Sequence, residues 1–135
     1  MIDPANVPPV ASDEQLARYV LHRRWIRPDG KTIKQDAFFP PASLRFSVTR
    51  HLLASETELW SVGNAVAAAR NLSLYGRADF QAHVCSNHKL SIEPAQIAGN
   101  PNHAEIVNWP VDKPLQKIVA QELAASANFI PLIAG

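Results

Sequence analysis

Five polar residues could meet over one piece of chemistry: Arg50, His51, Arg77, His103 and Glu105. Arg50 and His51 follow a strand-like stretch directly, Arg77 follows the turn-like Tyr75-Gly76, and His103 and Glu105 share one face of a short strand. Side chains at strand ends, on loops held by a rigid sheet, are well placed to act on a ligand. A histidine there can move a proton while two arginines hold a phosphate or its developing charge. That chemistry would suit cleavage of an RNA phosphodiester or an NAD-dependent transfer. The alternative is structural: Arg77 pairs with Asp79 or Glu105 and the histidines lie on the surface.

A second group is charged rather than catalytic. Between Gln15 and Gln35 stand Arg18, Arg23, Arg24, Arg27, Lys31 and Lys34 against Asp29 alone, six minus one, or +5. Tyr19 and Trp25 are interleaved with them. Guanidinium groups fork onto phosphates and aromatic faces stack on bases, so this stretch could bind nucleic acid or a nucleotide. Cations at a helix C-terminus would account for Arg23 and Arg24 equally well. From residue 51 onward five basic residues face seven acidic ones, so the asymmetry is local.

A third group, His83, Cys85 and His88, supplies two imidazoles and a thiol, all acceptable zinc ligands. His-x-Cys-x-x-His is not a structural-zinc spacing, and no metal or other cofactor is called for. A buried cysteine beside surface histidines explains the same residues. Trp109, ahead of Pro110, and the apolar Phe129 and Ile130 could anchor a protein partner. Glu122 falls inside the apolar arc Leu115, Ile118, Val119 and Leu123. It must find a cation or escape to solvent by a small helix rotation. No glycine-rich phosphate loop and no H-E-x-x-H is present.

These residues need a scaffold, and the chain is long enough to make one. Its 135 residues, 47% hydrophobic and 19% charged, predict one globular domain, 12–135, behind an extended proline-rich arm, 1–11. The arm carries Pro4, Pro8 and Pro9 and is expected to be loose. With one cysteine there is no internal disulfide, and a reducing compartment follows. The first residues lack a basic leader and apolar core, and no apolar run approaches a membrane span. A cytoplasmic location without membrane attachment is the resulting expectation.

A capping-box spacing, Ser12 to Gln15, predicts a first helix carrying Leu16, Tyr19 and Val20. Alternation predicts a strand over 44–49. Ser55 and Glu58 predict a second helix to about Arg70, ended by Asn71, with Gly63 allowing close packing. Strands are expected over 79–85 and 90–93, paired as a hairpin, and over 103–109. Asp112 should cap a last helix running to about Ala127, followed by an edge strand through Pro131. The sum is an α+β fold, a two-layer arrangement of about three helices on one side of a mostly antiparallel sheet. The function expected is a non-catalytic accessory domain that binds a protein partner or itself. The alternatives are the phosphate-handling enzyme and the nucleic-acid-binding module.

Overall fold

A computed structural model describes residues 1–133. The chain forms an α+β fold around a six-stranded antiparallel sheet. Its strands are β1 (Gln15–Val20), β2 (Phe46–Arg50), β3 (Gly76–Gln81), β4 (Ser91–Pro94), β5 (His103–Val107) and β6 (Asn128–Pro131), in the order β4-β5-β2-β1-β3-β6. The helices are α1 (Glu56–Ala69), the single turn α2 (His83–Ser86) and α3 (Lys113–Ser126). Two short 3-10 turns, 23–25 and 35–38, lie between β1 and β2. Residues 134 and 135 of the expected domain lie outside the described residues.

The expected first helix is instead β1, one of the two middle strands. Leu16 and Val20 point to one side of the sheet and Ala17 and Tyr19 to the other, and all four are buried. A strand covered on both faces loses its polar alternation, and its apolar residues then imitate a helical arc. The expected hairpin also gives way: the chain leaves β3 through α2, and β4 pairs with β5 at the far side of the sheet.

The apolar face of the sheet carries Leu16, Phe46, Phe80 and Ile106, all essentially inaccessible, under α3 and the 35–38 turn. Helix α3 buries Gln116, Val119, Ala120, Leu123 and Ala124, which recur at helical spacing. The small Ala120 and Ala124 let it sit close to that turn. This rotates Leu115 and Ile118 outward and places Glu122 in solvent. Asp112 makes no side-chain cap, so the first turn relies on Pro114, which has no amide hydrogen to satisfy.

Helix α1 lies on the opposite face, so the helices do not share one side of the sheet. Its capping box is complete: Ser55 Oγ accepts from Glu58 N–H at 3.1 Å, and Glu58 accepts from Ser55 N–H at 3.0 Å. Gly63 faces the Tyr19 ring, where a Cβ would come within 2.7 Å of a ring carbon. The Tyr19 hydroxyl donates to the Leu59 carbonyl at 2.6 Å, tying the helix to β1.

The N-terminal arm is fastened rather than loose. Ile2 is buried, and its N–H donates to Asn102 Oδ1 at 2.9 Å. Arg50 donates to the carbonyls of Pro8 at 2.7 Å and Pro9 at 3.1 Å. Proline has no amide hydrogen, so at these two positions the arm can only accept hydrogen bonds, and a buried guanidinium supplies the donors.

Candidate functional site

The two central strands part company. β1 and β2 pair only through Leu16–Arg50 and Ala17–Thr49. Beyond that, β1 stays on β3 as far as Val20–Gly76, and β2 stays on β5 back to Phe46–Ile106. The widening gap leaves the Ser47 carbonyl without a ladder partner, and the side chain of Arg18 supplies one. Arg18 Nη1 donates to Ser47 O at 3.3 Å and Nε to Ala37 O at 3.0 Å. Its guanidinium lies 4.1 Å from the centre of the Phe46 ring and 5.7 Å from that of Trp25. A cation over aromatic faces contributes about 1–2 kcal/mol when desolvated.

A cleft of about 550 Å³ opens at this parting. Arg18, Tyr19, Ser47 and Thr49 come from the sheet, Val66 and Arg70 from the end of α1, and His103 from β5. Phe39, Pro41 and Ile97 add apolar surface. Desolvation, then the nearby Arg70, pulls the Arg18 guanidinium down to about 10. Burial pushes the Tyr19 phenol up to about 12, so it remains a neutral donor. His103 Nδ1 lies 2.7 Å from the Ala95 carbonyl. A carbonyl can only accept, so Nδ1 carries a proton in this contact.

The five residues expected to meet are divided among four places. Arg50, fully buried, forks onto Glu14 with two contacts of 2.8 Å and holds the arm. Arg77 and His51 do converge, on Asp79: His51 Nε2 at 3.0 Å, and Arg77 Nε at 3.1 Å from each carboxylate oxygen. Arg77 also forks onto Glu56 at 2.8 Å twice and lies 4.7 Å from the Trp60 ring centre. Glu105 belongs to a cross-strand ion pair with Arg45, at 3.2 Å, which Glu93 shares at 2.8 Å. Only His103 lines the cleft. Arg50 and Arg77 are each matched by carboxylates and have no charge left for a phosphate.

The basic stretch is likewise divided. Arg18 enters the cleft, while Arg23 and Arg24 stay exposed beside a shallower depression with His22, Asn71, Ser73 and Tyr75. Arg27 turns toward the C-terminal end of α3, beside Gln121 and Ala124. Lys31 is exposed next to the Asp29 turn, and Lys34 is half-buried.

Trp109 does not present its ring to a partner. It is buried against Phe46, with a ring-centre distance of 5.7 Å, and its indole N–H donates to Ile106 O. Phe129 and Ile130 are half-buried on β6, at the edge of the sheet as Pro131 foretold.

His83 and Cys85 do not share a face, because the segment is a helical turn and two residues along a helix are separated by about 200°. His83 is exposed beside Gln81 while Cys85 is buried in the core. Among the described residues no group of three or more His, Cys, Asp or Glu is placed to hold a metal. Burial pushes the Cys85 thiol up to about 12. At pH 8 it should therefore react with a thiol reagent no faster than the protein unfolds. Rapid native-state labelling would show instead that α2 opens by itself.

Sequence reasoning overlooked Ser47, Thr49, Arg70 and Ile97 as cleft residues, and Glu14 and Asn102 as anchors of the arm. Only Arg70 carried a signal, a cation at the end of a predicted helix.

No protein-family model, curated protein or solved structure matches the chain. Among the described residues no helix is long and apolar enough to cross a membrane.

Proposed function

We propose that the chain is a non-catalytic binding domain whose cleft takes the phosphate or carboxylate of an anionic ligand on Arg18. The observation that carries this reading is a contrast. Three arginines of the sheet strands turn inward or into a cleft: Arg50 and Arg77 are matched by carboxylates, whereas Arg18 meets only uncharged groups, the carbonyls of Ala37 and Ser47 and the rings of Phe46 and Trp25. A partly buried cation without a counter-ion is costly, and an arriving anion offsets that cost. Of five guanidinium N–H groups, two are committed to carbonyls, and five minus two leaves three. That suffices for a two-point fork through Nη1 and Nη2. Arg70 adds a second cation with no carboxylate partner among the described residues, and Phe39, Pro41 and Ile97 fit an apolar part of the ligand.

Thermal unfolding with phosphate, pyrophosphate or butyrate tests the reading. An anion at a hundred times its Kd should stabilise the fold by about 2.7 kcal/mol. Arg18→Lys keeps the charge but loses the fork, and should weaken binding about tenfold, or about 1.4 kcal/mol. No stabilisation by any of the three anions would sink the proposal. An anion favours the charged guanidinium, so affinity should fall as pH rises through about 10.

A second reading, pairing with another copy of the chain, rests on β6 as an edge strand followed by Leu132 and Ile133, 38% and 84% exposed. Sedimentation that stays monomeric at high concentration would dispose of it.

A further inference from the structure

We infer that the anion held by Arg18 is one phosphate of a single-stranded polynucleotide, whose backbone continues past Arg70 onto the depression of Arg23 and Arg24. This rests on the anion reading above and adds a polymer to it. Cleft and depression are adjacent: Leu21 lines both, and Arg70, at the mouth of the cleft, is followed in sequence by Asn71, which lines the depression. Among the described residues none of Arg18, Arg23, Arg24 and Arg70 forms an ion pair with a carboxylate. Four cations without a carboxylate partner thus border one continuous path, while a fifth lining arginine, Arg45, is matched by Glu93 and Glu105; a ligand with a single charge would use one.

The path also discriminates among polyanions. Arg18 is recessed between parted strands and pinned to the Ala37 and Ser47 carbonyls, so it cannot rise to meet a flat or convex surface. Duplex phosphates stand on a broad convex surface, whereas a flexible single strand can dip a phosphate into the cleft. Phe39 and Tyr75, both half-buried, offer ring surface for unstacked bases along the way. Of the large exposed apolar residues only Ile97 borders the path among the described residues, while Val111, Leu115 and Ile118 lie at α3. A membrane-binding surface would place such residues beside its cations.

The test is fluorescence anisotropy with oligouridylate and oligothymidylate of about twelve nucleotides and a duplex of equal length. Four arginine–phosphate contacts predict a log–log salt slope of about −3, hence roughly 50-fold weaker binding at 200 mM than at 50 mM salt. The duplex should bind at least tenfold more weakly than the single strand, and the two oligomers distinguish RNA from DNA as the source. The double variant Arg24→Ala/Arg70→Ala alters only exposed side chains, and should bind about tenfold more weakly with a slope shallower by about 1.4. Equal affinity for duplex and single strand, salt-independent binding, or an unaffected double variant would overturn the inference. So would preferential binding to vesicles of equal parts phosphatidylserine and phosphatidylcholine. Pyrophosphate stabilisation that depends on Arg18, with no oligomer bound, would remove the polymer and leave the anion site standing. Failure of both would remove both.

Discussion

Arg50→Ala is expected to lower the unfolding free energy by about 3–5 kcal/mol, the usual cost of removing one partner from a buried ion pair. The guanidinium is fully buried and satisfies three separate groups. Its loss strands the Glu14 carboxylate, whose side chain is only 8% exposed, and leaves the Pro8 and Pro9 carbonyls without their donor. Against a typical total of about 5–15 kcal/mol this is a large fraction. Denaturant midpoints measure it, and limited proteolysis shows whether residues 1–11 detach first. The pair variant Glu14→Leu/Arg50→Met should recover part of the loss, because no charge is then left buried. A single variant within 1 kcal/mol of the parent would mean that the arm contributes little to the fold.

Arg77→Leu should cost a similar 3–5 kcal/mol, for a different assembly. Arg77 joins β3 to the first turn of α1 by forking onto Glu56 while holding Asp79 beside His51. The same variant carries a pH signature. Its hydrogen bonds with Arg77 hold the Glu56 carboxyl below the ordinary 4.5. A lowered carboxylate contributes stability above that ordinary value and loses it as pH falls through the folded one. The gap between parent and variant should therefore narrow in acid below about 4.5. A gap that stays constant with pH would show that Glu56 contributes nothing through this contact.

Local signals carried most of the elements. The Ser55–Glu58 box, the Asn71 stop and the need for Gly63 were readable because each depends on residues within one helix or on a single close approach. Pro131 marked an edge strand for a reason intrinsic to proline. β1 was hidden because burial on both faces erases alternation. The relation of β3 to β4 was hidden because strand order is a long-range property. The candidate site suffered most. Arg18 was visible as one cation among six, yet its role depends on where the β1–β2 ladder stops and on what fills the gap. Glu14 and Asn102 gave no warning, since an anchor for a distant segment looks like any other polar residue in a loop.

The fastened arm has a kinetic consequence. Its receptors are Arg50 at the end of β2 and Asn102 just before β5. These are adjacent only after two strands whose first residues stand 57 positions apart (103 − 46) have paired. β4 and β5, separated by eight residues, form the shortest-range ladder and can assemble early, whereas β1 must await both β2 and β3. Residues 1–11 are made ahead of their receptors but find their binding place only after residue 102 has been incorporated. The amide of Ile2 should consequently be among the last to gain protection during refolding. Folding closes on a segment made well before its own binding place.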